Sequence, residues 1–212
     1  MKKKGLLIVV SGFAGTGKGT VMKELLAKYS EQYALSVSMT TRKPRPTERH
    51  GIEYFFVDKE TFEAKIAKDG LIEYACYCDN YYGTPKDYVE EQLNDGKDVL
   101  LEIEIQGALQ VKEKLPETVL VFIMPPSISE LYDRLKGRGT ETDEVIQRRM
   151  LRAAEESQGI EQYDYILVND DIDTCVESLH RMIQSEKRRA FRNTTFIENI
   201  RKEFVDLKKG EI

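Results

Sequence analysis

The chain has 212 residues, of which 41% are hydrophobic, and its 32 lysines and arginines are outnumbered by 37 aspartates and glutamates, for a formal net charge of -5. A chain of this length can bury a sizeable core without disulfide staples, and its charge provides no global positive field for nucleic acid or an anionic membrane, so any anion site must be local. Three cysteines and two histidines, His50 and His180, exclude a disulfide framework and leave a four-ligand zinc site hard to assemble.

The start, Met1-Lys-Lys-Lys4 followed by Leu6-Leu-Ile-Val-Val10, has the basic and apolar parts of a secretory signal, but the apolar run stops at Ser11, short of the ~7–15 residues a signal needs. No other run approaches the ~18 apolar residues of a membrane span, so the cytosol is the expected compartment. Leu6 to Val10 reads instead as a buried strand, followed by a glycine loop and a helix over Thr20 to Tyr29. Ser36 to Tyr82 then breaks the pattern. It is rich in Thr, Arg, Pro, Tyr and Phe, with Glu53 to Val57 and Leu71 to Ala75 as strands of a small insertion.

Helical segments Pro85 to Asn94, Gly107 to Lys114, Ile128 to Lys136, Asp143 to Gln158 and Ile172 to Arg189 alternate with apolar strands Val99 to Ile103, Val119 to Met124 and Tyr165 to Val168. This predicts an α/β fold with a mostly parallel sheet flanked by helices. The charged, glycine-bearing stretch Lys136 to Arg149 is expected to be a mobile loop entering a helix. Beyond Arg189 the pattern weakens into a short charged helix, and Arg188, Arg189 and Arg192 read as a solvated face.

The strongest local signal is Gly12-Phe13-Ala14-Gly15-Thr16-Gly17-Lys18-Gly19-Thr20, directly after a strand and before a helix. Glycines let backbone N–H groups wrap a polyphosphate, the helix N-terminus adds a favourable dipole, and Lys18 can reach the outer phosphates. The strict pattern places Ser or Thr right after the lysine, whereas Gly19 intervenes here and Thr20 follows. Small-molecule kinases similar to this chain also use Gly-Lys-Gly-Thr, which makes Thr20 the expected magnesium hydroxyl, partly through water. In the insertion, Thr40-Thr-Arg42-Lys-Pro-Arg45 holds two guanidinium groups three residues apart around a stiffening proline, suited to gripping one phosphate.

The continuation, Thr41-Arg-Lys-Pro-Arg-Pro-Thr-Glu48-Arg-His-Gly51-Ile-Glu-Tyr54-Phe-Phe-Val57, resembles the signature of the guanylate kinase family. Leu71-Ile-Glu73, Asn80-Tyr-Tyr82-Gly-Thr84, Leu101-Glu-Ile-Glu104-Ile-Gln-Gly107, Pro125-Pro-Ser127, Arg134-Leu-Lys-Gly-Arg138 and Val168-Asn169-Asp170 are similar to it in the same order, so the resemblance runs from about Leu7 to about Arg189.

It implies a P-loop NTPase-type core (1–35, 95–135 and 150–190), a mixed α/β GMP-binding insertion (36–94), a mobile lid (136–149) and a peripheral tail (191–212). It implies ATP and GMP as substrates, with dGMP a further acceptor, Mg²⁺ as cofactor, and no nucleic-acid or membrane partner. By the same resemblance Arg42, Arg45, Tyr54 and Tyr82 bind the GMP phosphate, while Ser38, Glu73 and Thr84 face guanine. Glu102 and Glu104, two apart and hence on one face of an expected strand, would meet guanine or magnesium-bound water. Arg134, Arg138 and Arg149 match lid positions over ATP, and Asn169 a position near adenine. Lys18, Arg45, Arg138 and Arg149 are the expected catalytic cations.

The family usually has Pro-Ser where this loop has Phe13-Ala14, which is expected to place an aromatic at the mouth of the cradle and to alter affinity without abolishing activity. Two alternatives stand beside a GMP kinase: a kinase for another purine monophosphate, and an inactive guanylate-kinase-like interaction module. The retained Gly17, Lys18, Thr20 and arginines weigh against the module.

Overall fold

The computed structural model describes residues 4–77, 79–137, 139 and 142–209. The chain divides into two units, 1–176 and 177–212. The first carries strands β1 (Leu7–Gly12), β2 (Tyr33–Leu35), β3 (Met39–Thr40), β4 (Phe55–Phe56), β5 (Leu71–Tyr77), β6 (Asn80–Pro85), β7 (Asp98–Glu102), β8 (Val119–Met124) and β9 (Tyr165–Val168). Its helices are α1 (Lys18–Lys28), α2 (Lys59–Ala67), α3 (Lys86–Asn94), α4 (Ile105–Lys114), α5 (Ile128–Gly137) and α6 (Asp143–Glu156), with α7 (Ile172–Glu186) crossing the boundary between the units.

The main sheet is five-stranded, in the order β2-β7-β1-β8-β9, and every pairing in it is parallel. Ile8, Val9, Val10 and the whole run Val119 to Ile123 are at most 1% exposed, as a sheet covered on both faces requires. Alternation divides the side chains. Leu7, Val9, Val99, Leu101, Leu120 and Phe122 point into one large cluster that also receives Val89 and Leu93 of α3 and Leu131 and Leu135 of α5. β1 ends at Gly12, and α1 begins at Lys18, so the glycine loop lies at the carboxyl end of a central parallel strand. Ligands of open α/β sheets bind at such an edge.

A second, four-stranded sheet of order β4-β3-β6-β5 forms the insertion. β5 and β6 make an antiparallel hairpin whose register shifts between Leu71 and Tyr74. Behind it a small core gathers Met39, Phe62 and Leu71, with the Phe62 ring stacked on Tyr81 at 5.1 Å. Asp58 caps α2 by accepting the Thr61 N–H at 2.8 Å.

The second unit contains the C-terminal part of α7, a 3₁₀ turn at Ala190–Asn193 and helix α8 (Thr194–Lys209). The arginines before α8 are not simply a solvated face. Glu186, only 2% exposed, accepts from Arg189 at 3.2 Å and from the buried Arg192 at 3.3 Å, while Asn193 donates to the Lys187 and Arg189 carbonyls. Among the described residues, no helix is long and apolar enough to cross a membrane.

Phe13 departs from expectation. Its ring does not stand at the mouth of the glycine loop but is 1% exposed, packed edge-on against Phe122 at 5.0 Å, which in turn meets Tyr163 at 5.1 Å. Burial of an aromatic outweighs the conformational freedom of the loop that carries it. Phe13→Ala is therefore expected to lower unfolding free energy by ~3–5 kcal/mol, the usual cost of an aromatic-to-alanine cavity, measured by chemical denaturation. A cost below ~1 kcal/mol would show that the loop does not depend on this anchor.

Candidate active site

The glycine loop is shaped by close approaches that only glycine allows. A Cβ on Gly12 would lie 2.3 Å from the Ile123 carbonyl oxygen, one on Gly15 2.9 Å from Leu135, and one on Gly17 2.6 Å from the Asn169 amide nitrogen. Gly15 and Gly17 also have φ of 97° and 83°, in the left-handed region. Gly19, by contrast, has nothing within 4 Å of its would-be Cβ, and both it and Thr20 are exposed in the first turn of α1. Lys18 Nζ donates to the Gly12 carbonyl at 2.5 Å and the Phe13 carbonyl at 3.1 Å, and the Thr16 hydroxyl donates to Phe13 at 2.9 Å.

Asn169 is 1% exposed and donates from Nδ2 to the Thr16 carbonyl at 2.7 Å, so its amide props the loop. Its own carbonyl accepts from Arg134 at 2.9 Å, and Arg134 also bonds Glu130 at 2.8 Å, which fixes that guanidinium at the side of the loop. Arg138 lies outside the described residues.

A cavity of about 680 Å³ opens beside the loop, lined by Gly12, Ala14, Lys18, Glu102, Glu104, Arg148, Arg149 and Arg152 among others. Helix α6, capped by Thr142, thus turns Arg149 toward the same space as Lys18. Glu104 differs from its expected position. β7 stops at Glu102, and Glu104 is the N-cap of α4, so the two carboxylates do not share a strand face, although both line the cavity. Glu104 is paired with Arg152, which also bonds Glu156 at 2.9 Å.

The arginine pair of the insertion is organised by a carboxylate. Arg42 Nη2 donates to both oxygens of Glu48 at 2.9 Å, and the Arg45 backbone N–H donates to Glu48 at 2.8 Å. The Arg42 guanidinium lies over the Tyr54 ring at 5.5 Å, and Tyr54 meets Tyr82 at 6.0 Å. The side chain of Arg45 is 73% exposed and only 3.8 Å from Glu48 at its nearest, so it is free to swing. The Arg45 amide and then Arg42 hold the Glu48 carboxyl below its usual range despite burial. Burial opposes the charge on Arg42, yet hydrogen bonding to Glu48 and its field, with help from Tyr82, raise its pKa. Burial first, then Tyr82, pushes the Tyr54 phenol up, and Glu102 of the main sheet contributes in the same direction.

Glu73 is 6% exposed and accepts from the buried Thr84 hydroxyl at 2.7 Å. Its other oxygen lies near Gly107, where an added Cβ would sit 3.3 Å away, which places it against the first turn of α4. Ser38 sits just before β3, its carbonyl accepting the Phe55 N–H at 2.8 Å. The structure thus gathers Gly12, Ala14, Lys18, Glu102, Glu104 and Arg149 around one cavity, and sets Arg45, Tyr54 and Tyr82 about the Arg42–Glu48 pair.

Three site residues were not among the sequence candidates. Glu48 is legible as the one acid within a basic loop, three residues from Arg45, and Arg148 and Arg152 share the helix face of Arg149 by their spacing of four and three residues.

The chain matches the guanylate kinase family over residues 4–186. It is 51% identical over 189 residues to the guanylate kinase of Latilactobacillus sakei, covering 89% of this chain and 93% of that one. It is 49% identical over 205 residues to the guanylate kinase of Caldanaerobacter subterraneus, covering 97% and 99%. Among solved structures, guanylate kinase from Anaplasma phagocytophilum superposes with a TM-score of 0.70 at 34% identity, covering 90% of both chains.

Burial raises the pKa of Glu73, with Thr84 and Lys114 opposing the shift. A raised carboxyl contributes stability that is full below the unfolded pKa and lost as pH rises through the folded one. Glu73→Gln is therefore expected to raise Tm at pH 7, with the gain shrinking as the pH is lowered and wild-type Glu73 takes up its proton. Thermal unfolding across that range measures it. An equal or lower Tm at pH 7 would show that the buried carboxylate is fully compensated.

Proposed function

The chain belongs to the guanylate kinase family, and we propose that it transfers the γ-phosphoryl group of ATP to GMP, giving ADP and GDP, at the cavity beside the glycine loop. The observation that carries this reading is the pair of anion-suited groups: Lys18 and Arg149 line one cavity beside the glycine loop with Glu102, and in the insertion Arg42, held by Glu48, lies over the Tyr54 ring.

The loop from Gly12 to Thr20, with Phe13 and Ala14 contributing only backbone, cradles the ATP phosphates. Arg134 and Arg138 serve the ATP side, and Asn169 acts there by holding the loop. Arg42, Arg45, Tyr54 and Tyr82 hold the GMP phosphate. Glu73, Thr84 and Ser38 read guanine, and Glu102 and Glu104 face the base or metal-bound water. This divides the chain into a core (1–35, 95–135 and 150–190), an acceptor-binding insertion (36–94) and a lid (136–149), with a cytoplasmic location and dGMP as a second acceptor.

A phosphate oxygen of GMP attacks the γ-phosphorus in line as the bond to the β-bridging oxygen breaks, so the work is positioning and charge stabilisation rather than covalent chemistry. Lys18, Arg149 and Arg138 take up charge on the transferring group while Arg42 and Arg45 fix the acceptor. Thr20 is the residue that would hold Mg²⁺, which when bound with ATP supplies neutralisation of the phosphate oxygens. The residues fit in that Thr20 is exposed in the first turn of α1, two residues after Lys18, where one hydroxyl could join phosphates and water in the shell.

Two outcomes are expected in a coupled ADP-release assay. Lys18→Met should keep the fold and lower kcat by at least about a thousandfold, because charge developing in the transition state loses its partner. Wild-type protein should prefer GMP to AMP in kcat/KM by about 10⁴, with IMP between, because adenine leaves a buried carboxylate facing a lone pair. Comparable use of AMP and GMP would overturn the assignment of Glu73 to guanine.

A further inference from the structure

β1 and β7 part company at the edge where the cavity opens. They pair in parallel from Leu7 opposite Val99 to Val10 opposite Glu102, and one more step would set Ser11 opposite Ile103. β7 stops at Glu102, however, while β1 runs on to Gly12 with β8 as its remaining neighbour. A side chain spans the gap. Ser11 is 0% exposed, and its hydroxyl donates to the Ile103 carbonyl at 2.7 Å. The carbonyl thus keeps a hydrogen-bond partner after the ladder has ended.

Ile103 stands between Glu102 and Glu104, and Ser11 directly precedes Gly12, whose carbonyl accepts from Lys18. Gly12, Lys18, Glu102 and Glu104 all line the same cavity. Because a peptide is planar, holding the Ile103 oxygen also holds the N–H and Cα of Glu104, from which α4 starts. The glycine loop has further clamps at Thr16, Asn169 and Phe13. The turn from β7 into α4 is tethered more weakly: Glu104 gives the helix no side-chain cap, and its carboxylate pairs with the exposed Arg152, a surface pair of small value.

We propose that Ser11 is a positioning residue for the reaction assigned above. Its hydroxyl sets the turn carrying Glu102 and Glu104 against the loop carrying Lys18, so that the two carboxylates meet the acceptor base or metal-bound water in register with the phosphates. The role rests on that reading of the cavity. Since the loop keeps its other clamps when the hydroxyl is lost, the loss spares ATP binding and damages use of the acceptor.

Ser11→Ala, its folding verified by circular dichroism, tests this. It is expected to lower kcat/KM for GMP by about 10–100-fold, the cost of a group misplaced by roughly an ångström, while affinity for a non-hydrolysable ATP analogue, measured by calorimetry, changes by less than about twofold. Ser11→Thr, which keeps the donor, should retain most of the activity. Ser11→Cys, a weak donor of similar shape, should fall between, and it carries the test if the alanine variant does not fold. Amide hydrogen exchange should quicken over 103–106 in Ser11→Ala and stay unchanged over the glycine loop. GMP turnover equal to wild type in Ser11→Ala, or an equal loss in a folded Ser11→Thr, overturns the role. ATP-analogue affinity that falls in step with kcat/KM makes the hydroxyl a part of loop folding and also overturns it. Wild-type protein that does not phosphorylate GMP overturns the proposed function, and the role with it.

Discussion

The site depends on how the loop between β1 and α1 is held. A loop that is to bind phosphate through its backbone N–H groups must be fixed by something other than those groups. Here the carbonyls serve. Gly12 and Phe13 accept from Lys18, Phe13 accepts again from Thr16, and Thr16 accepts from Asn169. Because a trans peptide sets its C=O and the following N–H on opposite sides, each carbonyl turned toward a protein donor turns the next N–H the other way. Three missing Cβ atoms let the Ile123 carbonyl, Leu135 and the Asn169 amide come close enough to clamp the chain, and the Phe13 ring pins it into the core. The glycines and the aromatic are therefore two halves of one device, the first removing bulk where neighbours approach and the second adding it where the core has room.

The acceptor side solves a different problem. Two arginines proposed to grip one phosphate repel each other and have many rotamers, and a net charge of -5 does nothing local to hold them. Glu48 does, taking both hydrogen bonds from one guanidinium and the backbone N–H of the other residue. The pairing orders Arg42 over Tyr54 and leaves Arg45 exposed to move, one arginine preset and one adaptable. A partly desolvated pair in which one guanidinium nitrogen is shared between both carboxylate oxygens and the carboxylate also receives a backbone N–H is where an ion pair has more than surface value.

Much of the fold was legible because it rests on long, one-signal segments. Val119 to Met124 and Tyr165 to Val168 read as strands with the bounds they have, since an unbroken apolar run beside polar turns admits few other readings. The insertion was harder. β3 has two residues, β6 contains Gly83 and Pro85, and α2 buries only Phe62, so none of them shows a period. The glycine loop and Arg42 were found from residue type and spacing, but Glu48 was not, because its importance lies in which backbone N–H it receives, a property of the folded loop. The direction of Phe13 was likewise set by Phe122, more than a hundred residues away in sequence. Glu104 was misplaced because a spacing of two implies one face only while the strand lasts, and β7 had already ended.

The two central glutamates of the insertion show how one sequence region makes opposite uses of the same side chain. Glu48 is surrounded by donors and held ionised, its carboxyl drawn below the usual range. Glu73 is surrounded by apolar packing with one hydroxyl donor, and burial raises it. Environments that push paired carboxyls apart in this way divide their labour. Glu48 gives the arginine pair a constant partner that does not vary with pH near neutrality. Glu73 carries a cost in the free protein that, on its proposed assignment to guanine, a base offering two N–H donors would relieve, because those donors would replace the water that burial removed. Under that proposal the stability given up at Glu73 becomes selectivity: only a ligand that supplies both hydrogens would recover it, and a base lacking them would meet the same buried charge unrelieved.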